Sequence, residues 1–195
     1  MNNKQVSSEI QQAIETLRGG GVGIFPTDTA FGIGCRMDSE ESVARLFDIR
    51  KRPTSQATPV LVSGETMAKS YFSHPSSYTL EYMSQYWPGA LTIIDTCDVT
   101  KVPLLVRGGG DTVGFRMPNH DAILTIIEQI GVPILGPSAN FHGLPTPYSF
   151  GAVDPNLVAL VDFVLPGECS VGQASTVVDC SAQPPKILRL GSVIL

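Results

Sequence analysis

The sequence has few charges and lacks the motifs that mark most nucleotide, nucleophile and metal sites. Charged residues make up only 16% of its 195 residues and hydrophobic residues 43%, which excludes a predominantly disordered chain. No P-loop, nucleophile elbow or HExxH motif occurs, and no two of the four cysteines form a CxxC pair. We therefore expect no protein-held metal, and any catalysis to depend on positioning and charge stabilisation.

Two further absences concern location and partners. The N-terminal stretch lacks the apolar run of a signal peptide, and no stretch approaches the ~18 consecutive apolar residues of a membrane span. We therefore expect a cytoplasmic protein with reduced cysteines and no membrane partner. The formal net charge of −5 argues against strong binding to nucleic acid.

The apolar periodicity predicts one α/β domain over residues 1–195. Helices and strands alternate early and strands cluster late, so we expect a twisted, open mixed sheet flanked by helices. Helices are predicted over 7–18, from a cap at 38 or 39 to an end within 50–53, and over 64–72, 75–86, 119–130 and 151–160. Strands are predicted over 22–25, 59–62, 90–94, 103–106, 112–117, 133–135, 162–165, 175–179, 186–190 and 193–195.

Arg50, Lys51 and Arg52 form the densest positive cluster of the chain. One interpretation is a helix C-terminus, where cations complement the macrodipole by roughly 0.3–1 kcal/mol. The other is a phosphate site, because arginine offers a planar fork of donors and lysine a point charge. The residues alone leave both interpretations open.

Two buried strands are each followed by a short polar loop, at residues 26–29 (PTDT) and 136–140 (GPSAN). Small polar side chains on constrained loops suit a small polar ligand, although ordinary turns explain the same residues. Arg116 is a lone cation that shares a strand face with Thr112 and Gly114. It needs either an acidic side chain or a ligand carboxylate as its partner.

Together these segments resemble the YrdC/Sua5 family of L-threonylcarbamoyladenylate synthases. The resemblance implies the YrdC-like fold in its short, single-domain form. It also implies a nucleotidyltransferase that converts L-threonine, bicarbonate and ATP into threonylcarbamoyl-AMP and pyrophosphate. The matching stretches, in family order, are PTDTAFGIG (26–34), IRKRP (49–53), WPGALTI (87–93), TVGFRMP (112–118), GPSANFHGLPTP (136–147), STVVD (175–179) and ILRLGS (187–192).

The resemblance also implies roles for individual residues. Arg50, Lys51 and Arg52 would be catalytic, because they would offset the repulsion between anionic reactants. The residues implied in threonine binding are Thr29, Arg116, Gly136 and Ser175. The residues implied in ATP binding are Arg52, Gln56, Thr112, Ser138, Asn140, Thr146 and Arg189.

The resemblance also implies a metal ion and macromolecular partners for the reaction. Mg²⁺ would accompany ATP, which is a substrate. The product would supply a separate tRNA threonylcarbamoyl transferase complex, which modifies position 37 of tRNA, and weak tRNA binding would be compatible with this activity. The alternative is a double-stranded RNA or tRNA-binding module that makes no adenylate.

Overall fold

The computed structural model describes residues 7–195. Serine hydroxyls cap the N-termini of three helices, where they accept hydrogen bonds from backbone N–H groups of the first turn. Among these residues, none of the helices combines the length and the apolar content that crossing a membrane requires. The helices are α1 (Ser8–Arg18), α2 (Glu40–Arg50), α3 (Glu65–Lys69), α4 (Ser77–Tyr86), α5 (Asp121–Ile130) and α6 (Pro155–Val158), with a 3₁₀ turn at Phe150–Ala152.

The strands form two open sheets. A six-stranded sheet has the order β6-β3-β5-β4-β8-β9, and a three-stranded sheet has the order β2-β1-β7. Both contain parallel and antiparallel pairs, so the predicted α/β class with an open mixed sheet flanked by helices is confirmed. The strands are β1 (Gly23–Phe25), β2 (Gly32–Gly34), β3 (Val60–Leu61), β4 (Leu91–Thr96), β5 (Thr112–Arg116), β6 (Ile134–Leu135), β7 (Phe163–Val164), β8 (Thr176–Asp179) and β9 (Lys186–Arg189).

Strand β5 shows how the sheet separates core from cavity. Val113 and Phe115 point into the main hydrophobic core, where the Phe115 ring makes an edge-to-face contact with Phe72 at 5.1 Å between centroids. Gly114 and Arg116 lie on the opposite face and line a cavity. The predicted alternation is therefore confirmed for this strand, with apolar side chains on one face only.

Two predicted strands are wrong, and one strand was not predicted. Residues 103–106 form turns that continue into Gly108 and Gly109, both at positive φ, and residues 193–195 lie outside any sheet. Strand β2 escaped prediction because its Gly-Ile-Gly sequence has low strand propensity. It needs these glycines, because a Cβ at Gly34 would lie 2.0 Å from the Leu135 carbonyl oxygen.

Candidate functional site

A cavity of about 300 Å³ opens on the face of the sheet that carries Arg116. Its walls carry four arginines, Arg50, Arg52, Arg116 and Arg189, and within residues 7–195 no Asp or Glu side chain lines it. The chain as a whole has a net charge of −5, so this concentration of positive charge is local. A concave surface with charges of one sign attracts ligands of the opposite sign, so the lining favours an anionic ligand.

Arg116 is buried at the end of β5, beside the turn that follows β1. Its Nη1 donates to Thr29 Oγ1 at 2.7 Å, and its Nη2 lies 3.3 Å from Asp28 Oδ1. Burial lowers the pKa of Arg116, whereas the charge of Asp28 opposes that shift. Thr27 Oγ1 donates to the Ala30 carbonyl oxygen at 2.7 Å and closes the turn, so Asp28 and Thr29 are held against the guanidinium.

Arg50 is the last residue of α2, and its side chain reaches the loop after β6. Its Nε donates to the Asn140 carbonyl oxygen at 3.0 Å, and its Nη2 to Asn140 Oδ1 at 3.2 Å. Ser138 Oγ donates to the same amide oxygen at 2.6 Å. Burial, and secondarily the charge of Arg52, lowers the pKa of Arg50 to about 10, so the group stays charged at neutral pH.

The other two arginines are less buried and are held by backbone carbonyls. Arg52 donates through Nε to the Gln56 carbonyl oxygen at 3.2 Å and through Nη2 to that of Ala57. Arg189 donates through Nε and Nη2 to the Ser175 carbonyl oxygen at 3.0 and 2.9 Å, and through Nη2 to Ser175 Oγ at 3.0 Å. Partial burial lowers the pKa of both groups. Carbonyls fix these guanidinium groups without neutralising them.

The cavity brings together most of the residues that the sequence nominates. Four nominated residues lie outside its lining. Lys51 Nζ lies over the Phe141 ring, Gln56 and Asn140 hold arginines, and Thr112 pairs with β4 at the far end of β5. The nominated residues in the lining are Thr29, Arg50, Arg52, Arg116, Gly136, Ser138, Thr146, Ser175 and Arg189.

Besides Thr27 of the predicted PTDT loop, two buried threonines in the lining are not among the residues nominated from the sequence. Thr92 lies on β4, and its Oγ1 is 2.9 Å from Ser175 Oγ, so it links this strand to the segment before β8. Thr58 precedes β3, and its backbone N–H donates to the Val106 carbonyl oxygen at 2.9 Å. A hydroxyl in or beside a buried apolar strand is the sequence signal that could have identified both.

The described residues do not supply a metal cage. Within residues 7–195, no three His, Cys, Asp or Glu side chains are grouped as a metal ion would require. The oxygen atoms that the lining offers belong to hydroxyls and backbone carbonyls. These are weaker ligands for Mg²⁺ than the carboxylates and phosphates it usually selects.

Known proteins match this chain along nearly its whole length. The model of the Sua5/YciO/YrdC family, described as "Telomere recombination", matches residues 15–191. A threonylcarbamoyl-AMP synthase of Bacillus subtilis (strain 168) is 31% identical over 189 residues, 95% of this chain and 54% of the relative. A threonylcarbamoyl-AMP synthase of Xanthomonas campestris pv. campestris (strain B100) is 33% identical over 184 residues, 93% of this chain and 97% of the relative.

A solved structure shares the fold closely. The crystal structure of P. abyssi Sua5 complexed with L-threonine has a TM-score of 0.89 and 32% sequence identity, and the match covers 93% of this chain and 54% of that chain. This chain thus spans about half the length of the Bacillus and P. abyssi relatives. The family match, the identities and the shared fold agree: the chain belongs to the Sua5/YciO/YrdC family.

Proposed function

We propose that this chain makes threonylcarbamoyl-AMP and pyrophosphate from L-threonine, bicarbonate and ATP. The observation that carries the proposal is the cavity itself, where four arginines converge and, among residues 7–195, no carboxylate lines the wall. All three reactants carry anionic groups, so such a cavity suits them together. The relatives named threonylcarbamoyl-AMP synthase and the threonine complex of P. abyssi Sua5 support the choice of substrates.

The reaction needs no nucleophilic side chain. The threonine nitrogen bonds to the bicarbonate carbon, and water is lost to give a carbamate. A carbamate oxygen then attacks the α-phosphorus of ATP, the bond to the bridging oxygen breaks, and pyrophosphate leaves with the electron pair. The attacking and leaving groups are both anions, so catalysis consists of alignment and charge stabilisation by guanidinium groups.

The depth of each donor suggests how the substrates are arranged. Arg116 and Thr29 are buried, and we assign them to threonine, with Gly136 and Ser175 completing that pocket. The guanidinium would bind the threonine carboxylate, since its only hydrogen bond within residues 7–195 goes to Thr29. A pocket that bonds the threonine hydroxyl should reject valine strongly.

ATP would occupy the more exposed part of the cavity. We assign Arg52, Ser138, Thr146 and Arg189 to the nucleotide, because they line the cavity with donors for phosphate or ribose oxygens. Arg50 would offset the negative charge between the reactants. Asn140 and Gln56 would act through the arginines they hold, exposed Lys51 would add positive charge nearby, and a contact of Thr112 with ATP stays a prediction.

Mg²⁺ would enter as part of the nucleotide substrate. The lining offers it hydroxyls and carbonyls, so the ATP phosphates would be its anionic ligands and the protein would hold the nucleotide. The product would then serve a separate tRNA threonylcarbamoyl transferase complex that modifies position 37 of tRNA.

Pyrophosphate release tests the proposal. We expect release from ATP to require both threonine and bicarbonate, to yield a product with the mass of threonylcarbamoyl-AMP, and to fail with valine in place of threonine. Release that ignores threonine would contradict the proposal. Filter binding with tRNA at physiological salt tests the alternative, because tight, salt-sensitive binding without pyrophosphate release would favour an RNA-binding module.

A further inference from the structure

Two polar side-chain atoms in the cavity wall are buried without a partner. Arg50 Nη1 and Thr58 Oγ1 make no hydrogen bond to any residue within 7–195. Their residues are only 3% and 2% exposed, and both line the same cavity. Buried donors without acceptors are rare in folded proteins, because each lost its water without gaining a partner. Within the described residues both atoms therefore lack an acceptor that a ligand in the cavity could supply.

The chemistry of Arg50 favours an acceptor with negative charge. Arg50 donates its other hydrogen bonds to the neutral carbonyl and amide oxygens of Asn140, and within residues 7–195 no carboxylate lies at ion-pair distance from it. Its buried charge is thus uncompensated. Thr58 is held through its backbone N–H, so its hydroxyl is free to turn toward a ligand. An oxyanion would satisfy the guanidinium and the hydroxyl together.

Size and depth distinguish between the anions of the reaction. The cavity of about 300 Å³ lies at the lower end of the ~300–1,000 Å³ typical of ligand pockets, which leaves little room for a triphosphate in its buried part. Arg52 and Arg189 are more exposed and suit the large, hydrated phosphate chain. Two buried arginines remain for two small anions, the carboxylate of threonine and bicarbonate.

We propose that Arg50 Nη1 and Thr58 Oγ1 form the bicarbonate subsite, where they bind the oxygens of this small anion while the amine attacks its carbon. Arg116 is already engaged by Thr29 and flanked by Asp28, and we have assigned it to the threonine carboxylate. The assignment of bicarbonate rests on the proposed function, whereas the assignment of a small oxyanion rests on the two unpartnered atoms alone.

Substitutions at Thr58 test the subsite through the separate Michaelis constants. Thr58→Val keeps the shape and removes the hydroxyl, so we expect KM for bicarbonate to rise about 10-fold or more in pyrophosphate release. KM for ATP and for threonine should stay within about twofold. Thr58→Ser should restore bicarbonate use, and Thr66→Val, on the exposed side of α3, makes the matched change away from the cavity.

The unfolding temperatures of wild type and Thr58→Val test whether the Thr58 hydroxyl has a hydrogen-bond partner within the protein. The Thr58 hydroxyl has no hydrogen bond to lose, so Thr58→Val should unfold at or above the wild-type temperature. Nitrate, a planar monoanion of similar shape to bicarbonate, should raise the wild-type unfolding temperature more than that of Thr58→Val at matched ionic strength in chloride. This readout does not require turnover.

Several results would overturn the subsite. A tenfold rise in KM for ATP with unchanged KM for bicarbonate would place a phosphate there instead. A Thr58→Val protein that unfolds several degrees lower would reveal an internal partner for the hydroxyl. If nitrate raises the unfolding temperature equally in wild type and Thr58→Val, no oxyanion binds at Thr58. If wild-type pyrophosphate release ignores bicarbonate, the proposed function fails, and nitrate still decides whether the oxyanion site exists.

Discussion

Substitution of Asp28 tests how far this carboxylate compensates the buried charge of Arg116 beside the cavity. Asp28 Oδ1 lies 3.3 Å from Arg116 Nη2, and the two side chains are 2% and 6% exposed. Asp28→Asn keeps the shape but leaves the guanidinium uncompensated, and losing one partner of a buried pair costs about 3–5 kcal/mol. We take the lower end, about 3 kcal/mol, because Oδ1 makes no aligned hydrogen bond. For a chain of this size that lowers Tm by about 6–12 °C.

Thermal unfolding with and without L-threonine measures both parts of this prediction. The threonine carboxylate would supply the charge that Asp28→Asn lacks, so threonine should raise Tm by more degrees in the variant than in the wild type. Glu65→Gln is the control, because its ion pair with Lys69 is exposed and contributes at most about 1 kcal/mol. A variant Tm within about 2 °C of wild type, or a smaller threonine shift, would refute the reasoning.

Three further predictions follow from single contacts. Arg52→Ala and Arg189→Ala should each raise KM for ATP about 10-fold with unchanged circular dichroism, and wild-type behaviour of both would show that the nucleotide lies elsewhere. Gly136→Ala should lose about 1–3 kcal/mol in urea unfolding, because its Cβ would lie 2.4 Å from Leu61 Cγ, and unchanged stability would contradict that clash. Burial raises the pKa of Cys35 to about 12, so iodoacetamide should label it only in unfolded protein, as mass spectrometry would show.

The fold could be predicted wherever a side-chain pattern repeats, and not where the chain depends on distant contacts. The alternation along β5 placed Val113 and Phe115 inside, because strand periodicity is a local property. Strand β2 could not be predicted, because glycine has low strand propensity and the need for Gly34 comes from a distant segment, where the Leu135 carbonyl oxygen would lie 2.0 Å from a Cβ. Apolar residues 103–106 resembled a strand, but the positive-φ glycines that follow turn the chain back instead.

The residue types of the candidate site could be predicted from the sequence. The directions in which their side chains point could not. The cluster Arg50, Lys51 and Arg52 left helix-end and phosphate interpretations open, and the structure confirms the helix end, while the phosphate site stays a prediction. Arg50 is in the last turn of α2 and its guanidinium also lines the cavity, while Arg52 lines it from the loop beyond. Lys51 between them has φ 53°, a left-handed conformation that ends the helix, and its Nζ lies 5.1 Å from the Phe141 ring centroid.

A residue in the left-handed conformation thus separates the two arginines that line the cavity, and no periodicity in the sequence encodes that conformation. The unpartnered Arg50 Nη1 depends on a distant contact, because Asn140, ninety residues further along the chain, occupies the other two donor nitrogens. The residue type alone indicates that a cationic side chain could bind an anion. Only the hydrogen bonds that it already makes show which of its N–H groups are left for a ligand.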